Sequence, residues 1–311
     1  MSAGPPVGLA IVGATATGKT VLAISVARRL DGEIIGVDSR QAYRGMEVGT
    51  AAPDAAELAA VPHHGVGFLE AVQPYSAGEF ARRAREWMRE ITGKGRIPIL
   101  TGGTGFFLHA LTHPVFEEPP MDSARRAELR HWLASLPVEK ARGWSERLDP
   151  EWSGNLSVVD RQRAARAIEV ALLSGRPLSW WQERAEPAAE PVSLMAFGMA
   201  LPPELHRERI RGRIERQFEM GWPAEVEALR AAGVPPDAPA MNAVGYREVA
   251  AFLERGAGRE EAIEAIARQS WAYARRQRTW FRHQLPGLRW LDGTEPIEHL
   301  AELVEREWRR R

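Results

Sequence analysis

The residues Gly13-Ala14-Thr15-Ala16-Thr17-Gly18-Lys19-Thr20 constrain this chain more than any other stretch. They spell G-x-x-x-x-G-K-T between the apolar run Val7 to Val12 and the helical pattern Val21 to Leu30, the strand, loop and helix that a phosphate cradle requires. Glycines let the backbone curl until its N–H groups converge, and the next helix aims its positive dipole end at the same point. Lys19 places a point charge at the outer phosphate. Thr20 offers its hydroxyl to a magnesium ion bound to the same phosphates. The motif leaves the ligand open, because ATP, GTP and any pyrophosphate ester present similar oxygens.

The spacing downstream predicts an α/β protein, a P-loop NTPase-like parallel sheet core with a helical insertion domain. Ile34 to Val37 reads as a second buried strand, and in open α/β sheets ligands lie at the carboxyl ends of strands. Asp38 therefore faces the phosphate loop or closes its strand as an Asx turn. Pro62-His63-His64 lacks a carboxylate at companion spacing and reads as a hydrogen-bonded structural pair. Ser76 and Glu79 form a capping box for a helix that reaches Ile91. Ile97 to Leu100 is a third strand, closing in Thr101-Gly102-Gly103-Thr104-Gly105, a second glycine-rich turn facing the same cleft.

From Asp122 to Glu190 the pattern is helical with no strand signal, between proline-rich borders at Pro119-Pro120 and Pro187 to Pro191. This predicts a core of residues 1–120 plus 191–311 and an insertion of residues 121–190. Val192 to Leu201 returns the chain to the sheet as a fourth strand. Helices are expected over Glu204 to Glu219, Ala224 to Ala231, Tyr246 to Arg255 and Glu260 to Gln284. A short strand at Arg289 to Leu291 and a helix over Pro296 to Trp308 complete the chain.

Formal net charge is zero, so a nucleic-acid partner must be met by a local basic face. Lysine occurs only at 19, 94 and 140, leaving arginine, whose planar fork suits phosphate, to carry the positive charge. The absence of cysteine removes disulfides, thiolate catalysis and cysteine zinc sites. No run approaches transmembrane length and the first residues lack a leader pattern, so a cytoplasmic enzyme, without a membrane partner and monomeric, is expected.

An ATPase usually ends a second strand with an acid that holds magnesium, but here the third strand ends in Thr101. Asp38 is followed by Ser39, Arg40 and Gln41, which suits a carboxylate that handles a proton or an acceptor. Two basic clusters accompany it. Arg268, Arg275, Arg278 and Arg282 repeat on one face of a helix that also carries Trp271, Tyr273, Trp280 and Phe281, aromatics that stack on bases or fill the core. Arg163 and Arg166 share a face in the insertion. Together with a phosphate loop they point to a nucleic-acid substrate.

The motifs GATATGKT at 13 to 20, DSRQAY at 38 to 43, MEVGTAAP at 46 to 53, YSAGEF at 75 to 80, GGTG at 102 to 105, DRQRAARAIEV at 160 to 170, NAVGYREV at 242 to 249 and YARRQRTWF at 273 to 281 stand in one order. In that order the chain resembles the bacterial tRNA dimethylallyltransferase, or tRNA isopentenyltransferase, family over almost its whole length. The resemblance implies transfer of a dimethylallyl group from dimethylallyl pyrophosphate to N6 of the adenine 3′-adjacent to the anticodon in the tRNA anticodon stem-loop, with Mg²⁺ as cofactor. It makes the loop, Lys19 and Thr20 the donor site, Arg213 a holder of the leaving group and Asp38 the base. Ser39, Arg40 and Gln41 line the acceptor, and Thr104, Gln162, Arg163 and Arg166 resemble tRNA contacts. The stacked target adenine must be flipped out to react.

Ala14 replaces the family's usual proline, Ala52 a basic residue and Phe107 a tyrosine. Two other readings remain open: transfer to a free adenine nucleotide, and a small-molecule P-loop kinase.

Overall fold

A computed structural model describes residues 7–113, 119–154, 160–184, 191–256, 258–285 and 287–311, the side chains of Ser123 and Arg255 excepted. The chain divides into two compact units, Met1–His113 with Pro191–Arg311, and Pro114–Glu190. The first boundary thus falls ahead of Pro119-Pro120. Most of the Pro187 to Pro191 border lies outside the described residues.

The first unit is built on a six-stranded sheet in the order β3-β2-β4-β1-β5-β6, parallel throughout. Its strands are β1 (Gly8–Gly13), β2 (Gly32–Gly36), β3 (His63–His64), β4 (Ile97–Gly102), β5 (Leu194–Ala200) and β6 (Arg289–Asp292). β1 is buried along its whole length, with Leu9 opposite Ile99 on one side and Met195 on the other, which is why it reads as an unbroken apolar run. Because β4 lies between β1 and β2, three adjacent strands end side by side. Their carboxyl ends release the first glycine loop, the Asp38 segment and the second glycine turn at one edge, the place where open α/β sheets hold ligands.

Helices cover the sheet. The ones that matter here are α1 (Lys19–Leu30), α2 (Ala77–Gly93), α3 (Gly105–Thr112), α4 (Pro203–Glu219), α5 (Trp222–Ala231), α6 (Arg259–Gln284) and α7 (Ile297–Arg309). Leu22 and Val26 of α1 pack with Leu300, Val304 and Trp308 of α7 over Leu9, Ile11 and Ile34. A second core joins Ile210 and Ile214 of α4, Trp222 of α5 and Ile266 of α6 to Tyr43, Met46 and Tyr246.

Two local expectations change. His63 and His64 form a two-residue strand at the sheet edge, too short to leave any alternation in the sequence. His64 is hydrogen-bonded, as a structural histidine should be, but to a distant carboxylate: its Nε2 lies 2.7 Å from Glu33 Oε2, and Glu33, 1% exposed, also accepts from Arg96 at 2.9 Å. At α2, Ser76 Oγ accepts the Glu79 N–H at 3.1 Å, but the Glu79 carboxylate pairs with Arg82 and Arg83 instead of turning back. Arginines one turn along offer charge-assisted bonds stronger than the reciprocal cap. A complete capping box stands instead at Asp54 and Glu57.

The second unit is helical in its described residues, with helices Ser123–Ser135, Val138–Leu148, Pro150–Gly154, Arg161–Ser174 and Leu178–Arg184. Leu133, Ala141, Ala164 and Ile168 form its core. Glu169 is buried there and pairs with Arg126 at 2.7 Å, Arg130 at 2.6 Å and Arg166 at 2.9 Å. Three guanidiniums around one carboxylate offset its desolvation.

Candidate active site

The first glycine loop folds on its own polar atoms. The Ala14 carbonyl accepts Thr17 Oγ1 at 2.9 Å and Lys19 Nζ at 3.2 Å, so Lys19 curls over the loop from the start of α1. Ala16 sits at φ 61°, a left-handed conformation that a side chain adopts at a cost of roughly 1–2 kcal/mol. Ala14, where the family usually has proline, is 3% exposed and packs in the apolar core. Lys19 and Thr20 line a cavity of about 190 Å³ together with Thr15 and Ala16.

The same cavity is lined by Asp38, Ser39, Arg40 and Gln41. Asp38 Oδ1 accepts the Arg40 N–H at 2.9 Å, so the Asx turn and the placement at the cleft are both realised. Among the described residues no hydrogen bond reaches its other oxygen. Thr104, from the second glycine turn, accepts the Ser39 N–H at 3.1 Å. Gln41 Nε2 donates to the Ala51 carbonyl at 2.8 Å, and Arg40 Nη1 to the Pro239 carbonyl at 2.7 Å.

Two helices close the cavity with polar groups set where an apolar face would run. On α4 the positions His206, Ile210, Arg213, Ile214 and Gln217 follow three- and four-residue steps and share one side. Arg213 Nη1 donates to Thr15 Oγ1 at 3.1 Å and Nη2 to the Thr50 carbonyl at 2.9 Å, tying the phosphate loop to the segment from Met46 to Ala51. His206 Nε2 lies 2.8 Å from the Thr15 carbonyl. On α6, Ile266, Ser270, Tyr273 and Gln277 line the cavity, again at helical spacing. Gln277, 6% exposed, accepts the Thr15 N–H at 3.0 Å and donates to the Gly103 carbonyl at 2.8 Å. A Cβ at 103 would stand 2.3 Å from Gln277 Nε2, so a larger residue there would push that carboxamide out of its two bonds.

The segment from Met46 to Ala51 is itself held from below. Glu225 of α5 accepts the Val48 and Gly49 N–H groups at 2.7 and 2.9 Å and the Tyr246 hydroxyl at 2.7 Å. Gln217 Nε2 donates to the Val48 and Gly49 carbonyls, both at 2.9 Å. Ala52 continues this segment with no charge of its own, and Arg213 is a guanidinium that reaches it.

Burial gives the site a cationic end that is costly to charge. The Lys19 ammonium is pushed down to about 8, by burial first and then by Arg213, with Asp38 opposing. Burial likewise depresses Arg213, again against the pull of Asp38. Tyr273 is pushed up to about 12 by burial and by the Asp38 charge, and it stays a neutral donor. An anion between Lys19 and Arg213 would relieve the strain of both.

The structure therefore brings together Thr15, Ala16, Lys19, Thr20, Asp38, Ser39, Arg40, Gln41 and Arg213 around one cavity, with Gly13, Ala14, Thr17 and Gly18 forming the loop beneath and Thr104 bonded to its wall. Arg275 and Arg282 are exposed on α6 outside the cavity lining, and Arg278 is partly buried beside them. Gln162, Arg163 and Arg166 belong to the second unit; Asp160 caps their helix through the Arg163 N–H at 2.8 Å. Trp280 and Phe281 pack inward, Phe281 to 1% exposure, while Tyr273 lines the cavity. Phe107 is also buried, stacked on Phe80 with ring centres 4.7 Å apart. Sequence reasoning does not single out Gln217, Gln277 or His206 as site residues. Their signal is a polar side chain repeating on the inward face of a helix.

A phosphate loop at β1, a carboxylate at the end of β2 and a second glycine turn at β4, closed over by two helices carrying Arg213 and Gln277, define a P-loop-type α/β protein that binds a phosphate ester beside a second substrate. The IPP transferase family model matches residues 41–284 and an isopentenyl transferase model residues 8–63. A protein of Xanthomonas oryzae pv. oryzae named tRNA dimethylallyltransferase is 41% identical over 302 residues, covering 92% of this chain and 90% of its own. The full-length tRNA isopentenylpyrophosphate transferase of Bacillus halodurans has the same fold, with a TM-score of 0.69 at 30% identity over 97% of this chain and 96% of that one. A eukaryotic dimethylallyltransferase, solved acting on tRNA, shares the fold with a TM-score of 0.79 at 21% identity, over 97% of this chain and 78% of its own. The chain belongs to the IPP transferase family, and it is a transferase.

Proposed function

We propose that the chain transfers the dimethylallyl group of dimethylallyl pyrophosphate to N6 of the adenine 3′-adjacent to the anticodon in the tRNA anticodon stem-loop, releasing pyrophosphate. The observation that carries this reading is the single cavity lined both by Lys19, Thr20 and Arg213 and by Asp38. The N6–carbon bond forms as the allylic carbon–oxygen bond breaks. The diphosphate takes the bonding electrons, and the loop N–H groups, Lys19 and Arg213 stabilise its growing charge. The adenine amine is a weak nucleophile, and Asp38 takes its proton as the new bond forms. The Asx turn fixes Asp38 through one oxygen and leaves the other for the amine.

Mg²⁺ fits this site as an ion held mostly by the substrate. Thr20 supplies one hard oxygen, and among the described residues no group of three His, Cys, Asp or Glu side chains could hold a metal alone. Bound there, it would add positive charge to the departing diphosphate.

Asp38, Ser39, Arg40, Gln41 and Thr104 receive the flipped adenine and its neighbours. Arg275, Arg278 and Arg282 of α6 meet tRNA phosphates, as do Gln162, Arg163 and Arg166 of the helical insertion. No helix among the described residues is long and apolar enough to cross a membrane. With tRNA as its substrate the chain works in the cytoplasm, as a monomer.

Incubation with dimethylallyl pyrophosphate, Mg²⁺ and unmodified tRNA, followed by nucleoside analysis, should yield N6-dimethylallyl adenosine. Transfer to free AMP in preference to tRNA, or ATP-dependent phosphorylation, would overturn the reading.

A further inference from the structure

Phe106 is 61% exposed, two residues after Thr104, whose hydroxyl anchors the Asp38 segment. A single exposed apolar side chain is ordinary on a protein surface, but Phe106 is not alone. The Phe106 and His109 rings are nearly parallel, 10° apart with centres at 6.3 Å, and His109 and His113 stack at 4.1 Å with an angle of 2°. Trp280 of α6 meets His109 edge-on at 6.2 Å. It lies so close to α3 that a Cβ on Gly105 would fall 2.1 Å from its ring. α3 is thus clamped against α6 and holds the aromatic row at a fixed angle.

Two links tie the row to the cavity: Thr104, two residues before Phe106, bonds the cavity-lining Ser39, and Trp280, which meets His109, lies on the helix that carries Tyr273. Tyr273 lines the cavity, the Arg276 guanidinium lies 5.8 Å from the Tyr273 ring centre, and Arg276 is one helical turn before Trp280 on the same side of α6. Along α6 a cavity-lining phenol is thus followed by an exposed guanidinium and then by the indole against which the α3 row packs. Burial and the neighbouring His113 hold His109 below the ordinary histidine range, which favours its uncharged form. Flat faces near a cation match a nucleotide: a π-face for the base and a charge for its phosphate.

We propose that Phe106, backed by His109 and His113, is a stacking platform for a nucleobase next to the acceptor adenine. This rests on the reading that the acceptor is a base in tRNA. Flipping that adenine removes the stacking partner of its neighbours. An exposed ring two residues from Thr104, which bonds the cavity-lining Ser39, replaces the lost partner and lowers the cost of extrusion. Because every base has a π-face, the platform favours extrusion without selecting a sequence at that position.

The test uses the full chain and an anticodon stem-loop RNA, intact or with an abasic site on one or the other side of the acceptor. Phe106→Leu keeps apolar volume and removes the π-face; Phe106→Trp keeps the face. On the intact RNA, Phe106→Leu should bind about tenfold more weakly and Phe106→Trp like the parent. An abasic site on one flank should weaken the parent by a similar factor and leave Phe106→Leu unaffected, the non-additivity expected of groups that touch. Affinity for dimethylallyl pyrophosphate and thermal melting should match the parent in both variants. Parent-like RNA binding by Phe106→Leu, additive losses at both flanks, or a loss confined to donor binding would each overturn the platform while leaving the transferase reading intact. Failure of the parent itself to bind the RNA would overturn the functional reading beneath it.

Discussion

The side-chain oxygen of Gln277 accepts the backbone N–H of Thr15 at 3.0 Å, across 262 positions of sequence. The amide nitrogen of the same side chain donates to Gly103 at 2.8 Å. One carboxamide thus spans both glycine turns and attaches them to the helix whose outer face carries Arg275 and Arg282. β1 and β4 are paired as far as Val12 and Gly102, and this bridge extends their fixed spacing into the two turns.

Gln277→Ala leaves the Thr15 N–H and the Gly103 carbonyl without their partner. A buried polar group stripped of its bond costs roughly 1–3 kcal/mol. The variant should lose stability on that scale in urea unfolding. At temperatures where it remains folded, its KM for dimethylallyl pyrophosphate should rise, because the loop no longer has a fixed position. A stable variant with parent kinetics would reduce the bridge to a passive one.

Lys19→Ala should abolish prenyl transfer and leave tRNA affinity largely intact, as measured by nucleoside analysis and filter binding. The pH behaviour follows from the direction of its shift. With the free-site value at about 8, a bound diphosphate pulls it back up. Binding near pH 8 should therefore take up protons, seen in calorimetry as a heat that varies with buffer, and affinity should fall as pH rises through that region. For the unliganded protein the sign is opposite. A lysine whose folded value lies below its unfolded 10.5 disfavours folding below about 8, and the penalty fades between 8 and 10.5. Lys19→Met should melt higher than the parent at pH 7, with the gap closing toward pH 10.

Glu225 holds the Val48 and Gly49 amides, and Arg213 bonds to the carbonyl of Thr50 immediately after them. Glu225→Ala strands the Val48 and Gly49 N–H groups and leaves the Tyr246 hydroxyl only its bond to the Met46 carbonyl at 3.1 Å, so it should be strongly destabilising, by about 3 kcal/mol or more in urea unfolding. Glu225→Gln retains an acceptor and should fold. Its kcat should still fall severalfold, because the segment that orients Arg213 shifts. Equal kcat in Glu225→Gln and parent would confine Glu225 to stability.

Replacing Arg163 and Arg166 with alanine should weaken tRNA binding and lower its salt slope by about one unit for each phosphate no longer neutralised. Glu169 keeps Arg126 and Arg130, so the insertion should stay folded, as circular dichroism can verify. An unchanged slope would make these arginines a structural pair.

Every strand but the two-residue β3, and the phosphate loop, are legible in the sequence because their signals are local: an unbroken apolar run, a fixed-spacing motif, a strand-end aspartate. Most helices fall within a residue or two of their expected ends for the same reason, the apolar period being set by neighbours along the chain. The pairings that finish the site are not legible. Glu225 with Gly49, Gln277 with Thr15 and Glu33 with His64 each join residues whose sequence separation carries no period. Arg213 enters through family resemblance, yet its step of four to Gln217 and three from Ile210 marks the face that closes the cavity. A polar residue on the inward face of a helix is the available clue, and it stands out only where arginines repeat. The aromatics of α6 divide for a related reason, since helical phase alone does not say which neighbour each face meets. Tyr273 goes to the cavity and Phe281 to the core.

Asp38 offers the sharpest test of the chemistry, because its two oxygens have different duties. Oδ1 accepts the Arg40 N–H at 2.9 Å and the Gln41 N–H at 3.4 Å, which shapes the turn that presents Arg40 and Gln41. Among the described residues the other oxygen accepts no hydrogen bond, and Asp38 lines the cavity. Asp38→Asn keeps an acceptor for the turn, so the cleft retains its form and tRNA affinity should be nearly unchanged. What it removes is the base. The exocyclic amine has its lone pair drawn into the adenine ring and must shed a proton as it bonds to carbon. General-base assistance of this kind is typically worth ~100-fold to ~10,000-fold. Single-turnover reactions with saturating enzyme should show the chemical step slowed by that range. If Asp38 instead acted through the magnesium ion, donor binding would weaken and high Mg²⁺ would recover part of the rate. A near-normal single-turnover rate would leave the carboxylate with the turn alone, and the proton would have to depart to water or to the diphosphate.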